Sequence, residues 1–412
     1  MSQPASSLRV AAWDRWAGGF VEAVPPLLSA LARAETGMLE ERLPDFKERP
    51  APVYITGLAR AGTSILHHAL LELPEMGSYR VRDFPFVLTP WFNDQIQRFA
   101  LKKDVLPVER SHGDRVTVTP NSPEALEELL WKHYHRHLWD GPTMPVLSEA
   151  LLEEAFPEAY CEAVNKLLYV VGKERFLAKN NYLLPRLELL PGVVGRDVFA
   201  VICTREPLAH VASLLKQHHR FTEAAAHQPE VARQLCRLGH YEFGPFARPI
   251  AYPGAPDLSE TFAALAAGEM VRYYALQWRD AANRSADIYD DSPPGVSVSL
   301  VRFEDLCARS NSELQRLLEE IEREPWDGPA GGSESEEDTD LDAELPEDDS
   351  DAEPEDAEGR DAIFIKAWLK RWSEKLTPPK YYQSSLSEAD RRLVREITGE
   401  AAKRLGYRGL SA

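Results

Sequence analysis

The run Gly57-Leu58-Ala59-Arg60-Ala61-Gly62-Thr63-Ser64 stands between an apolar stretch, Val53-Tyr54-Ile55-Thr56, and a segment whose apolar residues Ile65, Leu66, Ala69, Leu70 and Leu73 recur at helical spacing. These residue types in this order suit an anion. Glycines permit a tight turn, and the unpaired N–H groups at a helix start, aided by the helix dipole, face the oxyanions. The spacing follows the first part of the nucleotide-triphosphatase loop G-x-x-x-x-G-K-[ST], but Thr63 occupies the place of its lysine. Without that lysine nothing reaches the β- and γ-phosphates, whereas Arg60 brings positive charge from the other side of the loop. A second pair follows the continuously apolar run 198–203: Arg205, in Thr204-Arg205-Glu206-Pro207-Leu208, and Ser213 eight residues on. The guanidinium is a bidentate fork for phosphate, and the hydroxyl adds a donor from the adjoining helix.

With Ile55 and Thr56 ahead of it, the glycine loop resembles the 5'-phosphosulfate loop of sulfotransferases, G-x-x-R-S-G-T-[ST], departing only at Ala61, where that family has Ser. Arg205 and Ser213 resemble the same family's 3'-phosphate site. Three weaker likenesses extend the match. Val301-Arg302-Phe303-Glu304-Asp305-Leu306 is similar to a late R-[YF]-E-D-L strand end, Phe176-Leu177-Ala178-Lys179-Asn180 to a central strand ending in Lys, and the run 386–407 to the closing helix of bacterial members. Nothing specific covers 104–139, 218–267 or the acidic stretch described below.

The resemblance implies sulfuryl transfer from 3'-phosphoadenosine-5'-phosphosulfate (PAPS) as cosubstrate to the hydroxyl of a small or lipid-like acceptor, with no metal required. It assigns Arg60, Ala61, Gly62, Thr63, Ser64, Arg205 and Ser213 to nucleotide binding, and Arg60 and Lys179 to the charge on the departing 5'-phosphate. Arg302 and Glu304 are expected to form a structural pair beneath the site. The acceptor proton needs a base. Asp83, in Tyr79-Arg80-Val81-Arg82-Asp83-Phe84-Pro85, is the nearest carboxylate after the loop helix, with an ion pair to Arg80 or Arg82 as its alternative role. Members resembling the cytosolic enzymes carry His two residues after the central Lys, where Asn181 stands here. His67, His68, His112 and His218 are the remaining candidates. The aromatic segment Gly239-His240-Tyr241-Glu242-Phe243-Gly244-Pro245-Phe246 reads as a loop over the acceptor pocket or as a structural surface loop. Two other functions use the same anion site: a metal-dependent P-loop kinase or nucleotidase, against which Thr63 argues, and a non-catalytic nucleotide-binding regulator.

The elements that must position these residues are legible around them. Strand signals at 53–56, 176–178, 198–203 and 298–303 alternate with helical patterns at 124–137, 207–217 and 262–288. This order predicts a P-loop-like α/β fold, a doubly wound parallel sheet with helices on both faces. Helical spacing over 8–43, with Val10, Trp13, Trp16, Phe20, Leu27, Leu28, Leu31 and Met38, predicts an N-terminal helical extension (1–50) packed on a single domain spanning 51–412. Helical patterning over 362–405 returns the chain to that domain.

The formal net charge of −19 is concentrated in one place. Residues 333–358 hold fifteen Asp or Glu and no Lys or Arg, so the rest of the chain carries about −4. A segment this polar cannot offset its ordering entropy and is expected to be a disordered insertion. No Lys/Arg-rich tract marks a nucleic-acid surface. Cys161, Cys203, Cys236 and Cys307 are too scattered for a zinc site and too few for a disulfide scaffold, and read as reduced thiols. The chain opens without a secretory pattern and has no run of about eighteen apolar residues, which makes the cytoplasm the default address.

Overall fold

The computed structural model describes residues 10, 12–100, 108–109, 117–255, 257–323, 357–376 and 386–408. Five strands form one parallel sheet: β1 (Val53–Thr56), β2 (Met76–Gly77), β3 (Arg175–Lys179), β4 (Val198–Thr204) and β5 (Val296–Arg302), in the spatial order β2-β3-β1-β4-β5. The central strand β1 sets Ile55 beside Lys179 on one side and Thr56 beside Ile202 on the other. Alternate side chains of these strands enter two separate cores. Tyr54, Phe176, Ala178, Ala200 and Ile202 join one, and Val53, Ile55, Leu177, Phe199 and Val201 the other. A sheet covered on both faces is the three-layer α/β arrangement expected from strands alternating with helices along the chain. The strand order reverses at β1, so a crevice opens beyond the carboxyl ends of β1, β3 and β4, where such sheets bind ligands.

Ten helices matter for the site. They are α1 (Ala12–Ala23), α2 (Pro25–Leu39), α3 (Thr63–Leu71), α4 (Glu128–Tyr134), α5 (Phe156–Val171), α6 (Pro207–His227), α7 (Pro229–Arg237), α8 (Met270–Asp290), α9 (Ala357–Lys375) and α10 (Glu388–Arg404). The N-terminal pattern is two helices, because Pro25 and Pro26 lack the N–H groups that a continuous helix would need. Leu28, Ala32 and Leu39 are buried, while Trp16, Phe20, Leu27, Leu31 and Met38 remain exposed, so only part of the apolar stripe packs on the body. What anchors α2 is polar. Glu35 and Lys166 of α5 form a fully buried ion pair at 3.1 Å, Glu35 also accepts from the Phe92 N–H, and Lys166 donates to the Ala32 carbonyl.

The pattern over 262–288 is likewise two helices, Ser259–Ala266 and α8, broken where Gly268 takes a left-handed φ of 71°. Residues 324–356, which include nearly all of the acidic stretch, lie outside the described residues; its last two positions open α9. In α9, Trp368 is buried and donates to the Ala69 carbonyl, which docks the segment behind α3. Helix α10 begins with a reciprocal Ser387–Asp390 cap and packs along α8 through Val394, Ala401 and Ala402.

Candidate active site

The loop between β1 and α3 is held by contacts that leave no room for larger residues. Gly57 has φ 135°, and a Cβ there would lie 2.2 Å from the Cys203 carbonyl oxygen of β4. Gly62 has φ 95°, and its Cβ would meet the Phe303 ring at 2.5 Å. Arg60 itself takes a left-handed φ of 75°, which costs a non-glycine residue about 1–2 kcal/mol. That cost is offset by two contacts. The Arg60 carbonyl accepts from Arg205 at 3.2 Å, and its Nε donates to the Ser213 hydroxyl at 3.4 Å. No side chain caps α3, so its first N–H groups are open to an anion held by the loop. Of the loop residues, Thr63 and Ala61 are buried, while Arg60, Gly62 and Ser64 are part-exposed.

Arg60, Arg205 and Ser213, separated by up to 153 positions in sequence, thus meet in one cluster. Each support of that cluster has a local cause. Helix α6 starts where it does because Glu206 caps the Ala209 N–H and Pro207 supplies the first turn. The Arg205 guanidinium lies 5.0 Å from the centre of the Phe303 ring, and its carbonyl accepts from the Trp278 indole of α8. His210 reaches back to the Ala59 carbonyl at 2.8 Å, tying α6 to the loop.

The expected Arg302–Glu304 pair does not form. Arg302 pairs with Asp305 at 2.5 Å and donates to the Gly406 carbonyl. Glu304 instead accepts from the Glu206 N–H and from the Tyr407 hydroxyl, which also bonds Thr204. Because Phe303 and Glu304 begin a short helix, Glu304 turns toward the loop side and leaves Arg302 to the residue three further on. The C-terminal Tyr407 therefore braces the ends of β4 and β5 beneath the clamp.

Lys179 ends β3 and faces a small cavity that it shares with Glu128, His240 and Glu242. The two asparagines after it are fixed by carboxylates. Asn180 donates to Glu127 at 2.5 Å and to Glu128 at 2.8 Å, and Asn181 donates to Glu242 at 2.6 Å. Glu128 is also held by both terminal nitrogens of the buried Arg186. Burial raises Glu127 to about 7 against bonds from Asn180, Trp131 and Tyr160. Burial would raise Glu242 too, but His240, Asn181 and Lys179 outweigh it and bring the carboxyl down to about 2. The His240 Nδ1 lies 3.6 Å from Glu242 Oε2, an ion-pair distance rather than a hydrogen bond.

Of the other base candidates, Asp83, His67 and His218 are engaged by neighbouring groups. Asp83 is fully buried and accepts from the Arg80 backbone N–H at 2.7 Å and from its guanidinium twice at 3.1 Å, while Arg82 pairs with Asp94. His67 is buried against the Ser78 hydroxyl, with burial as the main cause and then His68 and Lys179 lowering it to about 3. Burial, with His219, lowers His218 to about 4, and its ring packs on Tyr274. His68 is part-exposed, and His112 lies outside the described residues. All four cysteines are free, and burial pushes Cys203 up to about 12, as suits a structural thiol.

His240 and Glu242 were not singled out as a pair by sequence, although their segment was. The signal was present. They lie two residues apart, and both line the cavity that Lys179 faces.

No family model matches the chain, and a search of curated proteins finds no match in sequence. Among solved structures the chain is similar to the sulfotransferase STF9 from Mycobacterium avium, at 12% identity and a TM-score of 0.44 over 90% of this chain and 80% of that one. It is also similar to the sulfotransferase STF1 from Mycobacterium tuberculosis H37Rv, at 11% identity and a TM-score of 0.38 over 71% and 72%. A third is the sulfotransferase domain from the curacin biosynthetic pathway, at 11% identity and a TM-score of 0.33 over 87% and 98%.

Proposed function

We propose that the protein is a sulfotransferase that uses PAPS to sulfate a hydroxyl acceptor. The observation that carries this reading is the meeting of Arg60, Arg205 and Ser213 at the mouth of a glycine loop that lacks the lysine of triphosphate-binding enzymes. Two anionic groups on one nucleotide suit that layout. The loop N–H groups, Ser64 and Arg60 take the 5'-phosphosulfate, and Arg205 with Ser213 takes the 3'-phosphate.

PAPS supplies the sulfuryl group. The acceptor oxygen bonds to sulfur as the sulfur–oxygen bond to the 5'-phosphate breaks, and the bisphosphate leaves with the electron pair. Arg60 and Lys179 stabilise that growing charge. The acceptor proton goes to a base. Asp83 stands as the base read from sequence and would have to shed Arg80 to act. His240, which shares a cavity with Lys179 and is backed by Glu242, is better placed. The described residues include no group of three or more His, Cys, Asp or Glu able to hold a metal, and no helix among them is long and apolar enough to cross a membrane.

The test is thermal denaturation with 3',5'-adenosine bisphosphate against ATP with magnesium. The bisphosphate should raise the melting temperature with increasing concentration while ATP with magnesium does not. The reverse preference would replace this reading with a P-loop kinase or nucleotidase.

A further inference from the structure

A second, larger cavity of about 320 Å³ shares two lining segments with the Lys179 site and is at the small end of the roughly 300–1,000 Å³ usual for ligand pockets. Two segments line both spaces. On α4, Glu128 faces the small cavity and Lys132, one turn later and about 6 Å along the axis, faces the large one. In the segment after α7, His240 and Glu242 face the small cavity while the intervening Tyr241 faces the large one.

The lining has two chemical characters. Val21, Leu28, Phe84, Val87, Leu129 and Trp139 make it apolar. Against them stand four fixed cations, Lys132, Arg136, Arg237 and Arg248, and only two carboxylates, Glu22 and Asp140. Glu22 is engaged by Arg237 at 3.0 Å, and among the described residues no carboxylate forms an ion pair with Lys132, Arg136 or Arg248. The last three satisfy themselves on backbone carbonyls instead: Lys132 on Cys236, Arg136 on Glu22 and Arg248 on Trp139. Arg248 also lies 4.6 Å from the centre of the Tyr241 ring, and Lys132 lies 5.7 Å from it. Four cations against two carboxylates at an apolar wall leave a net positive charge that an anion would neutralise.

We infer that this cavity binds the acceptor, and that the acceptor is an amphipathic anion: an apolar body bearing the hydroxyl, with one carboxylate or comparable anionic head set against Lys132 and Arg248. The acceptor role rests on the sulfotransferase reading; the ligand class rests on the cavity alone. Helix α1 makes one wall, with Gly18 so close that a Cβ would lie 3.1 Å from Arg237 and 3.2 Å from Phe84.

Titration calorimetry with three probes of one length, 10-hydroxydecanoate, 1,10-decanediol and 10-amino-1-decanol, separates the possibilities. The carboxylate should bind at least tenfold tighter than the diol or the amine, and raising salt from 50 to 500 mM should weaken the carboxylate alone. Arg248→Gln and, independently, the more exposed Arg136→Gln should bring the carboxylate toward the diol while leaving 3',5'-adenosine bisphosphate affinity unchanged. Equal affinity for carboxylate and diol would overturn the anionic class. No binding of any probe by protein that binds the bisphosphate would overturn the cavity as a ligand site, with the nucleotide reading intact. Carboxylate binding by protein that does not bind the bisphosphate would overturn the acceptor role and the sulfotransferase reading together.

Discussion

At the scale of single residues, the proposed site divides into groups assigned to binding and groups assigned to moving a proton. Arg205 offers a charge-assisted fork and Ser213 a neutral hydroxyl, so their removal should differ in size. Arg205→Ala should weaken 3',5'-adenosine bisphosphate by tenfold or more, since such charged bonds contribute about 1.5–3 kcal/mol, and Ser213→Ala by less. Calorimetry on the folded variants checks this, and unchanged affinity for Arg205→Ala would remove the clamp. His240 and Asp83 are separated by a different readout. His240→Gln should lower kcat by roughly 10²–10⁴-fold without changing bisphosphate affinity. Asp83→Asn should leave kcat near normal and instead cost about 1–3 kcal/mol of stability, because it weakens the bonds that the buried Asp83 accepts from the part-buried Arg80 guanidinium and N–H. A collapse of kcat in Asp83→Asn with unchanged melting would return the base to Asp83.

At the scale of elements, the glycine loop works because three residues adopt positive φ between β1 and α3. Gly62→Ala puts a Cβ 2.5 Å from Phe303, the ring that also supports Arg205, so it should displace both halves of the site. The expected result is a folded protein whose bisphosphate affinity falls at least tenfold; affinity within twofold of the parent would show that the loop is only a connection. The strand that leads into this loop, β1, was legible because it is an apolar run bounded by Pro52 and Gly57. β2 was not, since a two-residue strand has no periodicity to read, and it is recognisable only by its pairing to Arg175 and Phe176.

At the scale of the whole molecule, buried histidines tie stability to pH. His67 and His210 are lowered to about 3, by burial first and by nearby cationic or imidazole groups second. Both are neutral in the folded chain, whereas the unfolded chain protonates them near 6.5. Their contribution is complete above about pH 6.5 and is lost as pH falls toward 3. Glu127, raised to about 7, acts in the opposite sense: its contribution is present below about 4.5 and is lost as pH rises through 7. Removing one histidine isolates the first effect. His210→Gln should show a shallower loss of urea stability between pH 6.5 and 4.5, by about one proton taken up on unfolding, even if its stability at pH 7 is lower for want of the bond to Ala59. An unchanged slope would mean that His210 is protonated in the folded protein.

Local features were enough to read the parallel α/β class and to nominate the glycine loop, Arg205 and Ser213 for the proposed site, because strand apolarity, glycine placement and helix starts are short-range properties of neighbouring residues. What needed the tertiary structure was partnership across distance. The chain alone left Asp83 open between base and ion pair; the packing that buries it beside Arg80 decides which contacts it makes. It paired Arg302 with Glu304, whereas the helix begun at Phe303 hands Arg302 to Asp305 and Glu304 to Tyr407, more than a hundred residues away. Likewise, nothing in the sequence sets Lys132 beside Arg248; the packing of α4 and the Tyr241 segment brings both to one apolar cavity. Which charges meet depends on how the layers close around the sheet, and that is decided by the burial of all of them together.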